Sequence, residues 1–386
     1  DTDIQVIVDA APAPAALLAT MSGAGVVLNP VASLLAPVVD GQPGERLLIN
    51  GFQKGSSRAA YAQASWHFTD AISVTGGLRL SIEEKTVDQR LQLFTAGTDI
   101  DGPIFTQLVT AQEYRLIDKR VDRDLSSKLA LNWQPTDTYT FYVSGAEGFK
   151  GGGYSGSAVR AEITEVEPES SFTYEAGAKS RLLGGAATVN LAIFRTEFED
   201  LQLTIFEGNV SRISNAAGAV SQGAELDAAF TTALGVSGSF AVAYLDARFS
   251  DYPNGACPAD QEPPCDLSGD RLSFAPFWKS SLSLNYFNDL GSWPISILIG
   301  GDVLFEDEKL LQPDQDPIDV QGAYSTFNLR LRVADDEERW SLQALLRNAT
   351  NKHALDGSGD IPTLSGAHFG RAIAPRQLDV SLRFRL

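Results

Sequence analysis

Residues 72–83 read ISVTGGLRLSIE. Ile72, Val74, Leu78, Leu80 and Ile82 fall on one parity, and Ser73, Thr75, Arg79, Ser81 and Glu83 on the other. Successive side chains of a strand point to opposite faces, so the stretch is extended, with one apolar face and one polar face that carries full charges. Its length suits a strand that crosses a bilayer, about 9 to 11 residues, better than the shorter strands of a soluble sandwich.

Outward from this segment the same alternation recurs along the chain. It returns at Ala62, Ala64, Trp66 and Phe68, at Leu129, Leu131 and Trp133, at Val189, Leu191 and Ile193, and at Leu226, Ala228 and Phe230. It continues through Trp278, Leu282 and Leu284, then Ile295, Ile297 and Ile299, then Phe327, Leu329 and Leu331, then Leu342, Ala344 and Leu346. The chain closes on Leu378, Val380, Leu382, Phe384 and Leu386, opposed by Gln377, Asp379, Ser381, Arg383 and Arg385. With Thr2 to Val8 added, the reading gives about fourteen strands, an even number as in a bacterial barrel with both termini on one side.

The connections alternate in length. Short ones fall at 69–71, 135–137, 183–185, 232–234, 288–292 and 334–338, and long polar ones at 84–124, 146–171, 195–222, 246–276, 306–324 and 348–375. A sandwich does not predict this asymmetry, whereas short periplasmic turns and long extracellular loops mark an outer-membrane barrel. The expected fold is therefore all-β, a transmembrane antiparallel up-and-down β-barrel occupying residues 1–386. Residues 9–58, whose stretch 10–39 is uncharged and interrupted by Pro12, Pro14, Pro30 and Pro37, read as a further long external loop. Aromatic residues near strand ends, among them Trp66, Trp133, Tyr139 and Trp293, suit interfacial girdles.

Composition narrows the function. With 30 Lys+Arg against 49 Asp+Glu the formal charge is −19, which repels phosphate backbones, so nucleic acid is not an expected partner. No apolar run reaches the roughly 18 residues of a spanning helix. No nucleophile elbow, His-Glu-x-x-His pair or phosphate-cradling loop is present, and the glycines of GFKGGGYSG, residues 148–156, follow a strand without opening a helix; an enzyme is not expected.

Cys257 and Cys265 are the only cysteines, and a loop-stapling disulfide is favoured over two free thiols. The remote histidines His67, His353 and His368 offer that segment no metal set, and no cofactor or metal is expected. Asp314, Asp316 and Asp319, like Asp99 and Asp101, could offer oxygens to calcium, but Pro317 disturbs an EF-hand geometry and a solvated acidic loop is the commoner explanation. The opening DTDIQ lacks the features of a secretory leader, so the chain starts either after processing or inside a longer gene product.

From about Arg58 onward the residues resemble the TonB-dependent outer-membrane receptors. The resemblance is carried by YAQASWHFTDAISVTGGLRLSIEEK, TFYVSGAEGFKGGGYSG, SFTYEAGAKSRLLGGAATVNLAIFRTEFEDLQL, NAAGAVSQGAELDAAF, CDLSGDRLSFAPFWKSSLSLNY and the closing LLRNATNKHAL with APRQLDVSLRFRL. Family members usually end on an aromatic residue, where this chain has Leu386 two positions after Phe384. They also place an N-terminal plug inside a barrel of about 22 strands, and no plug-like segment is evident here.

The resemblance implies energy-coupled uptake of a scarce nutrient across the bacterial outer membrane, such as a ferric siderophore, haem, cobalamin or an oligosaccharide. The implied partners are a plug domain, the TonB-ExbB-ExbD system acting through it, outer-membrane lipid and lipopolysaccharide, and a small-molecule or metal-chelate ligand. It also implies that Glu175 and Glu225, matching the family's Tyr-Glu-x-Gly and Gly-x-Glu-Leu strands, face the lumen and anchor the plug. Phe149, Lys150 and Tyr154 in the Gly-rich loop, and His368 with Arg371 in GAHFGRAIAP, are the candidate substrate contacts, because binding residues concentrate on long loops. The competing readings are a self-contained passive channel of about fourteen strands and a structural barrel subunit of a larger assembly.

Overall fold

The structure, a computed structural model, describes residues 2–9, 46–94, 111–207, 210–215, 218–258, 261, 264–291, 293–361 and 366–385. Among these residues fourteen strands form one antiparallel sheet in which spatial order equals chain order. They are β1 Thr2–Asp9, β2 Arg46–His67, β3 Ile72–Phe94, β4 Tyr114–Thr136, β5 Tyr139–Lys150, β6 Glu169–Leu182 and β7 Ala187–Glu199. After them come β8 Gly218–Thr231, β9 Val236–Asp251, β10 Trp278–Asp289, β11 Ile295–Glu306, β12 Tyr324–Asp335, β13 Trp340–Arg347 and β14 Gln377–Phe384. Every strand pairs with its sequence neighbours, the up-and-down connectivity expected from the alternating loop lengths.

The register sets the two faces. Leu131 stands opposite both Val74 and Val143, and Leu191 opposite both Ala178 and Leu226. Leu129, Ile193, Leu284, Leu331 and Val380 lie exposed on this outward face. An apolar band continuous across so many strands is stable only against a non-aqueous neighbour. At the short-turn end the band is edged by Trp66, Phe68 and Trp293, each about two-thirds exposed, as interfacial aromatics are. The opposite face carries Glu175, Lys179, Asp227, Asp302 and Arg330, so the polar parity lines the inside.

Several strands outrun the amphipathic pattern. β3 continues to Phe94 and β4 begins at Tyr114, so much of the expected loop 84–124 is paired strand. Along this extension the outward face changes from apolar side chains to ion pairs, Lys119 with Glu84 at 2.9 Å and Arg115 with Asp88 at 3.0 Å. A strand that has left the bilayer needs no apolar face, which is why alternation alone ended it too early. The expected loop 9–58 is corrected in the same way. β2 begins at Arg46 because Arg46 to Gln53 pair with Asp9 to Thr2. Residues 10–45, Asp99, Asp101 and Leu386 lie outside the described residues.

Candidate functional site: the inner wall and the folded mouth

The loops at the long end turn back over the inner face. On the β3–β4 extension Val87, Gln89 and Leu91 point inward and are buried. Ile49, Leu91, Ala111 and Val159 form a cluster there, flanked by Leu93, Tyr114 and Ile163. The segment that covers them follows β5 and contains Gly151, Gly152 and Gly153. Lys85 donates to the Gly152 carbonyl at 2.6 Å and to that of Gly151 at 3.3 Å. A Cβ on Gly151 would strike the Glu83 carboxylate, and one on Gly152 the Val166 carbonyl and Arg120. The glycines thus serve close approach of backbone to wall.

Arg120 locks this loop in place. Its guanidinium, almost fully buried, contacts Asp122 at 3.0 Å, Glu165 at 3.2 Å and Glu167 at 3.1 Å, and donates to the Val166 carbonyl at 2.8 Å. Tyr154 donates its hydroxyl to Asp118 at 3.0 Å, and burial pushes the phenol above its ordinary range. Gln202, in the hairpin 202–215, reaches back to the Gly151 carbonyl at 3.2 Å and to that of Glu167 at 2.9 Å.

The residues singled out from the sequence divide accordingly. Tyr154 is buried and engaged with Asp118, and His368 is buried among carboxylates, so both are core residues of folded loops and not contacts presented to the mouth. Phe149 shares the outward parity of Phe141 and Val143 on β5, which turns it away from the lumen. Lys150 is on the inner parity, largely exposed and 3.7 Å from Glu169. Arg371 is exposed and pairs with Asp356 at 2.8 Å.

Glu175 and Glu225 both lie on the inner face. Tyr142 donates to Glu175 at 2.6 Å and packs across Gly177, which stands level with Ala192 and Glu225 on the next two strands. Lys179 sits 5.3 Å from the Tyr142 ring. Glu175 is half-buried and Glu225 exposed, so both are accessible from inside.

Alternation alone did not single out a recess of about 490 Å³ high on the inner wall. Lys279, Glu306, Tyr324, Asn328 and Arg347 line it from β10 to β13. Tyr324 donates to Glu306 at 3.2 Å, and Lys309 pairs with the same carboxylate. Inner parity near the long-loop end is the signal that could have found it.

Two loop assemblies rise beside this recess. In the first, Cys257 and Cys265 form the expected disulfide, and Phe249, Tyr252 and Leu267 pack into a small core. The Ser268 hydroxyl and amide hold the Asp266 carboxyl below the usual carboxylate range. In the second, the loop after β11 meets a hairpin of Leu355–Asp360 with His368–Ala372. His368 Nδ1 lies 3.1 Å from Asp319 and 3.0 Å from Asp360, and its Nε2 lies 3.6 Å from Asp316. Burial pushes the Asp314 carboxyl up to about 6, and burial also raises Asp360.

Comparison with known proteins agrees with this architecture. Residues 29–349 match the family model described as TonB dependent receptor-like, beta-barrel. The chain is 26% identical over 238 residues to the pesticin receptor of Yersinia pestis, a match covering 61% of this chain and 31% of that protein. Among solved structures it resembles the ferric yersiniabactin uptake receptor FyuA from Yersinia pestis, with a TM-score of 0.69 and 19% identity, covering 88% of this chain and 49% of that one. It also resembles the siderophore receptor PiuA from Acinetobacter baumannii, with a TM-score of 0.63 and 16% identity, covering 89% and 44%. The chain thus spans about half the length of these solved relatives.

Proposed function

Since the chain belongs to the TonB-dependent receptor β-barrel family, a family of outer-membrane transporters and not of enzymes, we propose that it supplies barrel wall and ligand-facing loops for energy-coupled uptake of a ferric chelate. One observation carries the reading: the two ends of the sheet are built for different tasks. The periplasmic end has short turns, whereas the extracellular end carries folded loops that turn inward above a recess lined by Lys279, Glu306, Tyr324, Asn328 and Arg347. Such a recess offers cationic and hydrogen-bonding groups to a compact, oxygen-rich ligand, the chemistry of an anionic metal chelate. That FyuA is a ferric yersiniabactin uptake receptor and PiuA a siderophore receptor supports the same ligand class.

In this reading Glu175 and Glu225 face a plug, which opens when TonB pulls on it. Glu175, already fixed by Tyr142, would present its second oxygen to a plug cation, and Glu225 would add a second anchor one strand pair away. The test is uptake of radiolabelled ferric chelates by cells expressing the complete receptor, with and without TonB. Accumulation of at least one chelate that vanishes without TonB is the expected result. Entry that is independent of TonB would favour a passive channel and overturn the proposal.

A further inference from the structure

The loop cluster around His368 has no role in the transport reading, and its geometry asks for a cation. One imidazole nitrogen, Nδ1, faces two carboxylate oxygens at once, Asp319 at 3.1 Å and Asp360 at 3.0 Å. A single nitrogen supplies either one N–H or one lone pair, so it cannot serve both oxygens well. Even a protonated imidazole brings one positive charge to the two carboxylates of Asp319 and Asp360. Among the described residues no Lys or Arg forms an ion pair with Asp319 or Asp360. His368 and Asp319 are nearly fully buried, where uncompensated charge is costly.

The spacing is that of a ligand set. The donor atoms of Asp319, Asp360 and His368 all lie within 4.8 Å of one another. Donors about 2.1 Å from a common ion are separated by roughly 3.0 to 3.4 Å along an octahedral or tetrahedral edge, close to the two distances found here. A second observation comes from the same hairpin. Asp360 pairs with His368 in the register and Ser358 with Gly370, so Ser358 shares their face two rungs away. Its Oγ is buried and has no hydrogen-bond partner. An ion carrying a water would supply one.

We propose that Asp319, Asp360 and His368 form a binding site for a divalent first-row transition cation, which clamps the loop after β11 to the 355–372 hairpin at the extracellular mouth. Mixed imidazole and carboxylate donors fit Zn²⁺ or a similar ion better than Ca²⁺, which takes oxygen ligands in larger number. The site is independent of which ligand the receptor imports.

The test uses the complete receptor in detergent, stripped with chelator and titrated with ZnCl₂ by calorimetry. Wild type should bind one Zn²⁺ that His368→Gln and Asp360→Asn bind at least about 100-fold more weakly. Asp356→Asn, on the same hairpin but paired with Arg371, should keep it. Should a variant fail to insert, hydrogen exchange on wild type decides: zinc slows exchange across 306–324 and 355–372 if the clamp exists. No zinc-specific slowing, equal zinc binding by wild type and His368→Gln, or displacement of zinc by equimolar Ca²⁺ would each overturn the assignment.

Discussion

The disulfide loop and the acidic loop pair touch one another, since Gln315 donates to the Arg271 carbonyl at 2.9 Å and Phe274 to that of Leu310 at 2.8 Å, yet they are held by opposite means. Around Cys257–Cys265 the chain has a covalent tie, an apolar core of Phe249, Tyr252 and Leu267, and a carboxyl at Asp266 that favours its charged form. Among the described residues around His368 no comparable apolar cluster forms: carboxylates crowd a buried imidazole, and burial pushes the Asp314 carboxyl up to about 6. The first assembly is finished as folded. The second gathers several carboxylates around one imidazole, so its charge balance is what a substitution or a change of pH probes.

The largest expected effect comes from removing the imidazole. His368→Ala leaves Asp319 and Asp360 facing each other without their shared partner, and breaking a buried pair in this way costs about 3 kcal/mol. Hydrogen exchange in 355–360 and 368–372 should accelerate on the order of 100-fold while the stapled loop is unchanged. Equal acceleration in both assemblies would erase the distinction between them.

Replacing Cys257 and Cys265 by Ala should loosen the stapled loop by about 2 to 3 kcal/mol, the chain-entropy value for so short a closed loop. Exchange at Tyr252 and Leu267, whose backbones are joined at 2.9 Å, reports it. Spread of the loosening to the 355–372 hairpin would mean that the two assemblies fold as one.

A smaller and more discriminating effect is the response to pH. In metal-free protein the folded Asp314 carboxyl titrates at about 6, above its ordinary value of 3.8, with Asp360, Asp319 and Asp316 as its charged neighbours and His368 beyond them. The folded loop then binds more protons than the unfolded one between about pH 4 and 6, so its protection should fall as pH rises through that window. Asp266 has the opposite sign: its carboxyl is held below 3.8, so its contribution is present above that value and is lost as pH falls through the depressed range. Protection factors measured from pH 3 to 7 should move in opposite directions in the two loops, and parallel profiles would contradict these charge states.

The wall was legible in the sequence because a bilayer imposes a period of two: Leu78, Leu80 and Ile82 could face only lipid while Arg79 and Ser81 could face only the lumen. The same reasoning failed above the membrane. Once Lys119 and Glu84 can pair in water, the β3–β4 hairpin needs no apolar stripe, and its strands went unread. The disulfide was legible because its cysteines are eight residues apart. The carboxylate cluster was not, because Asp319 and His368 lie 49 residues apart and meet only through loop packing. Likewise the sequence places GFKGGGYSG in a Gly-rich loop without showing that its glycines fit a backbone against Lys85, Glu83 and Arg120.

In the proposed function Glu175 and Glu225 anchor a plug against the inner face of this wall. Passive leakage of small solutes through the complete receptor, reconstituted in liposomes, tests it most directly when Glu175→Ala and Glu225→Ala are combined. Loss of both anchors should loosen the plug and raise leakage well above wild type, whereas unchanged leakage together with unchanged uptake would contradict the account.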